Sequence, residues 1–460
     1  GLLIGLVVAA LFIRSLCARF RSATLPPNGE QKSWLFYAIL ALMLVIAGAG
    51  YSRAVYFSDY LDGLFSMVLM VGVYVLARRH AFNPEYVLRA ACIVGLVQIV
   101  IAHLQFYGLS AGIPWILPVE TTKAYHVVGN IGYRGMLAIF VAICIMNGAY
   151  LVAKAKSVTM RVVYSVMTML LLAGLLSVGG RAAILALLFA VVPWIVFGLK
   201  NFPRFSLSRS RKLILSVSLL LVFCVLAVAG KDSAVFQSLR RIGTDVSSSL
   251  RLSHYAATLT MIRDHPLIGV GLGNYKFRYL EAQRRMKTES VFPEKYSRFI
   301  AKLPWTYSLW AHNEYLHFAA EFGLVLLFSL LAVAFFWIRN VFRRMRAFAP
   351  SCELIWGLSI LVLFAITSLF ERPFHHMDIM VWFALSCAVI NKEVFGNFVV
   401  EQERARKPKT VKIAPPRSLL HAIGHMCILA IIAAGTVLYV HGAYGQYHIR
   451  QAYDAMPRGE

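Results

Sequence analysis

The sequence predicts an all-α, polytopic transmembrane helix bundle of about 12 spans, with a mostly helical loop region on one face. Three observations predict it. The chain of 460 residues is 59% hydrophobic and only 15% charged, with a mean hydropathy of +0.68, where soluble domains carry roughly 25% charged residues. Its apolar residues gather into segments of about twenty, the length that crosses a bilayer. Its basic residues alternate between the two sets of loops. Together these exclude a soluble enzyme. The net charge of +25 would suggest nucleic acid in a soluble chain, but in a membrane protein bases collect in cytoplasmic loops, so no nucleic-acid partner is expected.

The apolar segments fall near 1–19, 34–51, 60–77, 87–107, 136–153, 162–179, 182–199, 213–229, 317–338, 354–370, 377–394 and 418–440. Of the 46 Lys and Arg, 26 lie on one set of loops, from Arg14 through Arg78, Lys154, Lys200 and Arg339 to the basic linker 391–417. These mark the cytoplasmic side. The resulting organisation is 1–229 with spans one to eight, 230–316 as a long external segment, and 317–460 with spans nine to twelve. The span count puts 441–460 outside. Gly1 to Ile13 reads as part of a span rather than a signal peptide. The seven cysteines lie in or beside apolar runs without metal-ligand spacing, and read as small buried hydrophobes.

This orientation places on the external face the segment 230–316, the loop 108–135, and two tight turns, Val178 to Arg181 and Glu371 to His376. Connections as long as 230–316 are usually functional. Within it Leu252, Tyr255, Ala256, Leu259 and Ile262 recur at helical spacing up to Pro266, which predicts an amphipathic helix on the membrane surface. A second helix is expected over Tyr275 to Lys287. His265 to Tyr275 contains Gly269, Gly271 and Gly273, but without a βαβ context it is no phosphate loop. It reads as a glycine-rich bend between the two helices.

Arg181 stands at the external end of a hairpin between two apolar stretches. It suits an anion, because a guanidinium stays charged and presents a fork of donors to phosphate oxygens. An arginine snorkelling to lipid headgroups is the alternative. Gly179 and Gly180 permit the sharp turn and a close approach to the backbone. Arg251 opens the amphipathic helix as a second anion candidate, against simple contact with anionic membrane lipids. His312 lies just before the span from 317 and can act as a general base on a hydroxyl; a lone interfacial histidine is otherwise structural. Asn313, Glu314 and Glu321 accompany it, although Glu321 is roughly 13 Å further along a helix and too distant to orient His312 directly.

Asp245, Asp264, Glu281, Glu289 and Glu294 are well separated in sequence, so a carboxylate-held divalent metal is not expected, and neither is any cofactor. Ser-His-Asp and H-E-x-x-H patterns are absent, which lowers hydrolase and protease readings. Trp115, Tyr125, Tyr133, Tyr296, Trp305, Tyr307 and Trp310 share the external face, as sugar-stacking groups or as the aromatic belt of a membrane interface.

Three stretches resemble the O-antigen ligase/polymerase superfamily, the Wzy_C-type membrane glycosyltransferases. They are Leu176 to Ala183 around Arg181, Arg251 with His265 to Gly271, and His312 to Leu316 with Glu321 to Gly323. The resemblance covers about 170 to 330. Gly180 stands where the family usually has Ser, and Tyr255 where it commonly has Trp. Within the superfamily the chain looks most like the ligase branch.

The resemblance implies a GT-C-like fold and transfer of a glycan from undecaprenyl diphosphate to a sugar hydroxyl of lipid A-core. It places the site at the periplasmic face of a Gram-negative inner membrane. It implies that Arg181 and Arg251 hold the diphosphate while His312 deprotonates the acceptor, in a metal-independent, inverting displacement. Asn313, Arg134, Arg263, Arg372 and His376 are further external candidates for substrate binding. A polymerase or a protein O-oligosaccharyltransferase shares these motifs. A transporter of lipid-linked sugars is the rival of another class, but transport places ionisable residues near midplane, and here they gather on one face.

Overall fold

The computed structural model describes residues 55, 57–79, 84–110, 113, 116, 128–195, 246–289, 291–347 and 350–396. The spans expected at 1–19, 34–51, 213–229 and 418–440, the linker 401–417 and the segment 441–460 lie outside them. So do Trp115 and Tyr125. The described residues are mostly helical, with no strand among them.

Among the described residues eleven α-helices follow in order: α1 Phe57–Arg79, α2 Pro84–Phe106, α3 Arg134–Lys154, α4 Val158–Val178, α5 Arg181–Ala190, α6 Val246–Asp264, α7 Tyr275–Thr288, α8 Glu294–Ala301, α9 Glu314–Ala347, α10 Cys352–Thr367 and α11 Met377–Asn391. Four stretches among the described residues are long and apolar enough to cross a membrane: Glu85–Phe106, Arg134–Lys154, Val158–Val178 and Glu314–Arg343. The expected count of 12 therefore stands unverified; the eight expected spans that the described residues reach all overlap helices, 182–199 being described only as far as residue 195.

Helix α3 is the axis of the bundle. Every residue from Met136 to Gly148 is buried, as befits a helix apolar all round. It packs against α2, α4, α5 and α10. Within this apolar core Trp356 donates its indole N–H to Asn147 Oδ1 at 2.9 Å, an interhelical hydrogen bond that satisfies both groups away from water. Local sequence sets the helix ends: Ser157 and Ser351 accept from the N–H groups of Met160 and Leu354 as N-caps. Gly179, at φ 71°, ends α4 in the left-handed conformation.

Helices α6 to α8 form a second cluster with the first turns of α9, around Ala257, Met261, Tyr275, Tyr279 and Ala320. The expected surface helix is thus largely enclosed. Ala256 and Ile262 face this core, Leu252 and Leu259 are exposed, and on the polar side Ser253, Thr258 and Thr260 are buried. The Ser253 and Thr258 hydroxyls bond Pro304 O at 3.0 Å and Tyr275 Oη at 2.7 Å. Hydrogen-bonded hydroxyls let the polar face bury as well, which periodicity alone does not reveal.

The expected span from 317 begins earlier, at Glu314, and is broken at Gly323 (φ 83°, ψ 167°). The break removes helical partners from main-chain groups on either side. The glycine-rich bend supplies substitutes: Val270 N–H to Ala320 O at 2.8 Å, Gly271 N–H to Glu321 O at 2.9 Å, and Leu324 N–H to Pro266 O at 2.7 Å. A Cβ at Gly323 would stand 2.1 Å from Leu267 O, and one at Gly269 would stand 2.4 Å from Glu321 O. These glycines serve backbone-to-backbone contact.

Candidate functional site

The C-terminal ends of α4 and α10 and the N-terminal ends of α3, α5, α9 and α11 meet at one end of the bundle. The side chains gathered there centre on Glu371, in the turn between α10 and α11. Its side chain is 6% exposed, and Oε1 accepts from Arg251 Nη2 of α6 at 2.9 Å. Its other oxygen, Oε2, lies 3.8 Å from His312 Nδ1. Both of those atoms are buried and neither has a hydrogen-bond partner.

His312 has a φ of 53°, the one positive φ on a non-glycine among the described residues. For an L-residue this costs roughly 1–2 kcal/mol, so the surroundings must hold it. The Tyr255 hydroxyl shares its one hydrogen between His312 O at 3.3 Å and Leu369 O at 3.2 Å. Asn313 accepts from Leu316 N–H at 3.0 Å as the cap of α9, and donates to Leu369 O at 3.2 Å. One face of the His312 ring is stacked on His254, with centroids 5.3 Å apart and planes 18° from parallel. Burial, then the nearby His312 and Arg251, pushes His254 down to about 4. At neutral pH His254 is an uncharged wall.

Tyr133 lies 6.4 Å from His312, ring to ring. Burial and the adjacent Glu371 carboxylate push its phenol up to about 12. Arg372 stacks its guanidinium 3.4 Å from the centre of Trp310 and 5.3 Å from that of Tyr133. These aromatic faces and the cation form a wall beside His312. His376 is held down at about 3 by burial and the positive Arg372, with Asp378 3.9 Å away.

Arg134 has two of its donors committed to main chain, at 2.7 Å each to Val178 O and Gly179 O. This caps the end of α4 with a cation. It thereby fixes the turn from which Arg181 emerges as the first residue of α5, half-buried at a helix N-terminus that favours anions. The close approach at Gly180 is made by α3: a Cβ there would stand 2.2 Å from Ala138 Cβ. Gly135, next to Arg134, lies against Glu371, whose carboxyl carbon would be 2.9 Å from a Cβ at that position. Arg134–Gly135 therefore joins the Arg181 turn to Glu371. Arg263 sits apart, twelve residues beyond Arg251 on α6 and so roughly 18 Å along the axis. It bonds Asp264 at 3.3 Å and Val291 O at 3.2 Å.

The structure thus brings His312, Arg251, Asn313, Arg372 and His376 to one end of the bundle, with the Arg181 turn docked on it through Arg134, and leaves Arg263 outside. Sequence reading passed over Glu371 and His254. A carboxylate beside an arginine in a turn between two apolar helices was the available signal for Glu371. His254, one turn from Arg251, gave none.

Fold and site together define a membrane-embedded helical protein with arginines, an imidazole and a shared carboxylate at one end of its bundle. Residues 166–331 match the Wzy_C family, described as O-antigen ligase; the stretch takes in Arg181, Arg251 and His312, and covers 166 of the 460 residues. This match supports an O-antigen ligase-type family, and with it a membrane enzyme of ligase or polymerase type. No curated protein matches the chain.

Proposed function

We propose that the protein is an O-antigen ligase, transferring a glycan from undecaprenyl diphosphate to a sugar hydroxyl of lipid A-core at the periplasmic face of a Gram-negative inner membrane. The observation that carries this is the carboxylate of Glu371 placed between Arg251 and His312. It links an anion-holding group to a base.

The donor diphosphate competes with Glu371 for Arg251, and Arg181 supplies a second cation at the N-terminus of α5. As Arg251 turns to phosphate, Glu371 is left to accept a hydrogen bond from His312 Nδ1–H. That fixes the tautomer and leaves Nε2 as the proton acceptor. The acceptor hydroxyl oxygen attacks the anomeric carbon, its proton passes to His312 Nε2, and the carbon–oxygen bond to diphosphate breaks with its electron pair going to the phosphate. The arginines stabilise the charge that develops there. Direct displacement inverts the anomeric centre. Tyr133, Trp310 and Arg372 are suited to stack on and orient the acceptor sugar.

The test is reconstitution of the purified full chain in liposomes with a lipid-linked glycan, lipid A-core, or both, followed on a gel without metal or ATP. A ladder that needs both substrates supports the ligase. Extension of the donor alone would assign the protein to the polymerases, and movement of the lipid-linked sugar across the bilayer without transfer would make it a transporter.

A further inference from the structure

Beside the site lies a chain of groups that the proposed displacement does not use: Glu314, His317 and Glu321 on α9, all three buried, and His375 in the α10–α11 turn, which reaches the surface. Ala311 N–H donates to His317 Nδ1 at 3.4 Å, so that nitrogen is the acceptor and the ring proton sits on Nε2. His317 Nε2 faces His375 Nε2 at 3.2 Å and donates to it. His375 Nδ1–H in turn donates to Glu314 Oε1 at 3.2 Å, an oxygen that also accepts Phe374 N–H at 2.9 Å. The two rings stand perpendicular with centroids 4.6 Å apart. Tyr275 packs 4.5 Å from His317, and Glu321 Oε1, which accepts from Tyr275 N–H, lies 3.7 Å from His317 Nε2.

One end of this chain holds the main chain immediately before His312, the other the turn that carries Glu371 and Arg372. Glu314 N–H adds a third tie, to Ser368 O at 2.8 Å. These ties add to those made by Tyr255 and Asn313 in holding His312 at a positive φ. We propose that Glu314, His375 and His317 are positioning residues, a hydrogen-bonded strap that clamps the 311–314 segment to the 371–376 turn so that His312 and Glu371 face each other. The proposal rests on the reading of His312 as the base. It extends that reading to residues that touch no substrate.

The strap needs hydrogen-bond acceptors and donors in place, not a negative charge at Glu314. Glu314→Gln keeps an oxygen for Phe374 and His375; Glu314→Leu does not. His317→Asn keeps an acceptor for Ala311; His317→Phe does not. Transfer by the full chain is measured for all four and for His375→Phe, together with imidazole ¹⁵N spectra in which the His312 signals are assigned by their absence in His312→Asn. Glu314→Leu and His375→Phe are expected to lower kcat on the order of 10²-fold, as small misplacements of a reacting group do, with donor KM within a few-fold. The His312 signals should shift in both, and Glu314→Gln and His317→Asn should recover most of the loss.

Equal losses in Glu314→Gln and Glu314→Leu, in protein that remains monodisperse, would overturn the proposal. So would unchanged His312 signals in His375→Phe. The spectra do not depend on turnover: absence of transfer by the wild-type protein would remove the ligase reading, while the His312 signals would still decide whether the strap positions that ring.

Discussion

Glu371 Oε2 and His312 Nδ1 face each other 3.8 Å apart, both buried and both unpartnered, while the other oxygen of the same carboxylate holds Arg251 at 2.9 Å. In the proposed mechanism a small approach, prompted when Arg251 turns to the donor phosphate, completes the hydrogen bond that orients the imidazole. Glu371→Gln is expected to lower transfer by roughly 10²-fold or more, with donor affinity retained because Arg251 is released. Unaltered kcat in a folded Glu371→Gln variant would show that the carboxylate does not act on His312.

Gly135→Ala tests the same carboxylate from outside the cluster. The new Cβ would stand 2.8 Å from Tyr133 Cε1 and 2.9 Å from the Glu371 carboxyl carbon, so that both side chains must shift, and Tyr133→Phe measured beside it separates the loss of the phenol from the displacement of Glu371. Reduced transfer with a thermal midpoint within a few degrees of wild type is the expected result. An active variant would mean that the placement of Glu371 is not critical.

Gly180 is predicted to be dictated by Ala138. Gly180→Ser brings a Cβ to 2.2 Å from Ala138 Cβ and is expected to destabilise by roughly 1–3 kcal/mol, read as a lowered unfolding midpoint in detergent. Gly180→Ser with Ala138→Gly should recover most of it. Failure of the double variant to recover would place the strain elsewhere in the turn.

Stability should fall with acidification. His254 and His376 take protons at about 4 and about 3 in the folded chain, below the ordinary 6.5, because both are buried. Between pH 6.5 and about 4 the unfolded chain binds protons that the folded chain refuses, so stability declines as pH drops through that window and the His254 contribution levels off below it. Each group adds roughly 1.4 kcal/mol per pH unit. His375 works in the opposite sense: burial disfavours its charge, but Glu314 outweighs this and raises it. Chemical unfolding of His254→Phe against wild type isolates one slope, and parallel curves would contradict a neutral, buried His254.

The fold was legible in the sequence where helices are apolar and regular. The hydropathy segments at 136–153 and 162–179 differ from α3 and α4 by a few residues, because spans that face lipid or a packed core carry an unbroken signal. The break at Gly323 was not legible: it depends on carbonyls and N–H groups that the Pro266–Gly271 backbone supplies from fifty residues away. Arg251 and His312 were legible as charged or titratable groups at apolar boundaries. Arg134 was a further candidate for substrate binding; that its guanidinium also caps α4 is made by tertiary contact alone. Glu371 was hidden because its importance lies in what it faces.

In the proposed reaction His312 takes the acceptor proton while the arginines hold the donor. The most direct measurement is single-turnover transfer by His312→Ala in EDTA, with bound lipid-linked donor quantified in the same liposomes. Donor is expected to bind as in wild type and transfer to slow by roughly 10²–10⁴-fold. Transfer at the wild-type rate, in protein that binds donor normally, would contradict the proposed reaction.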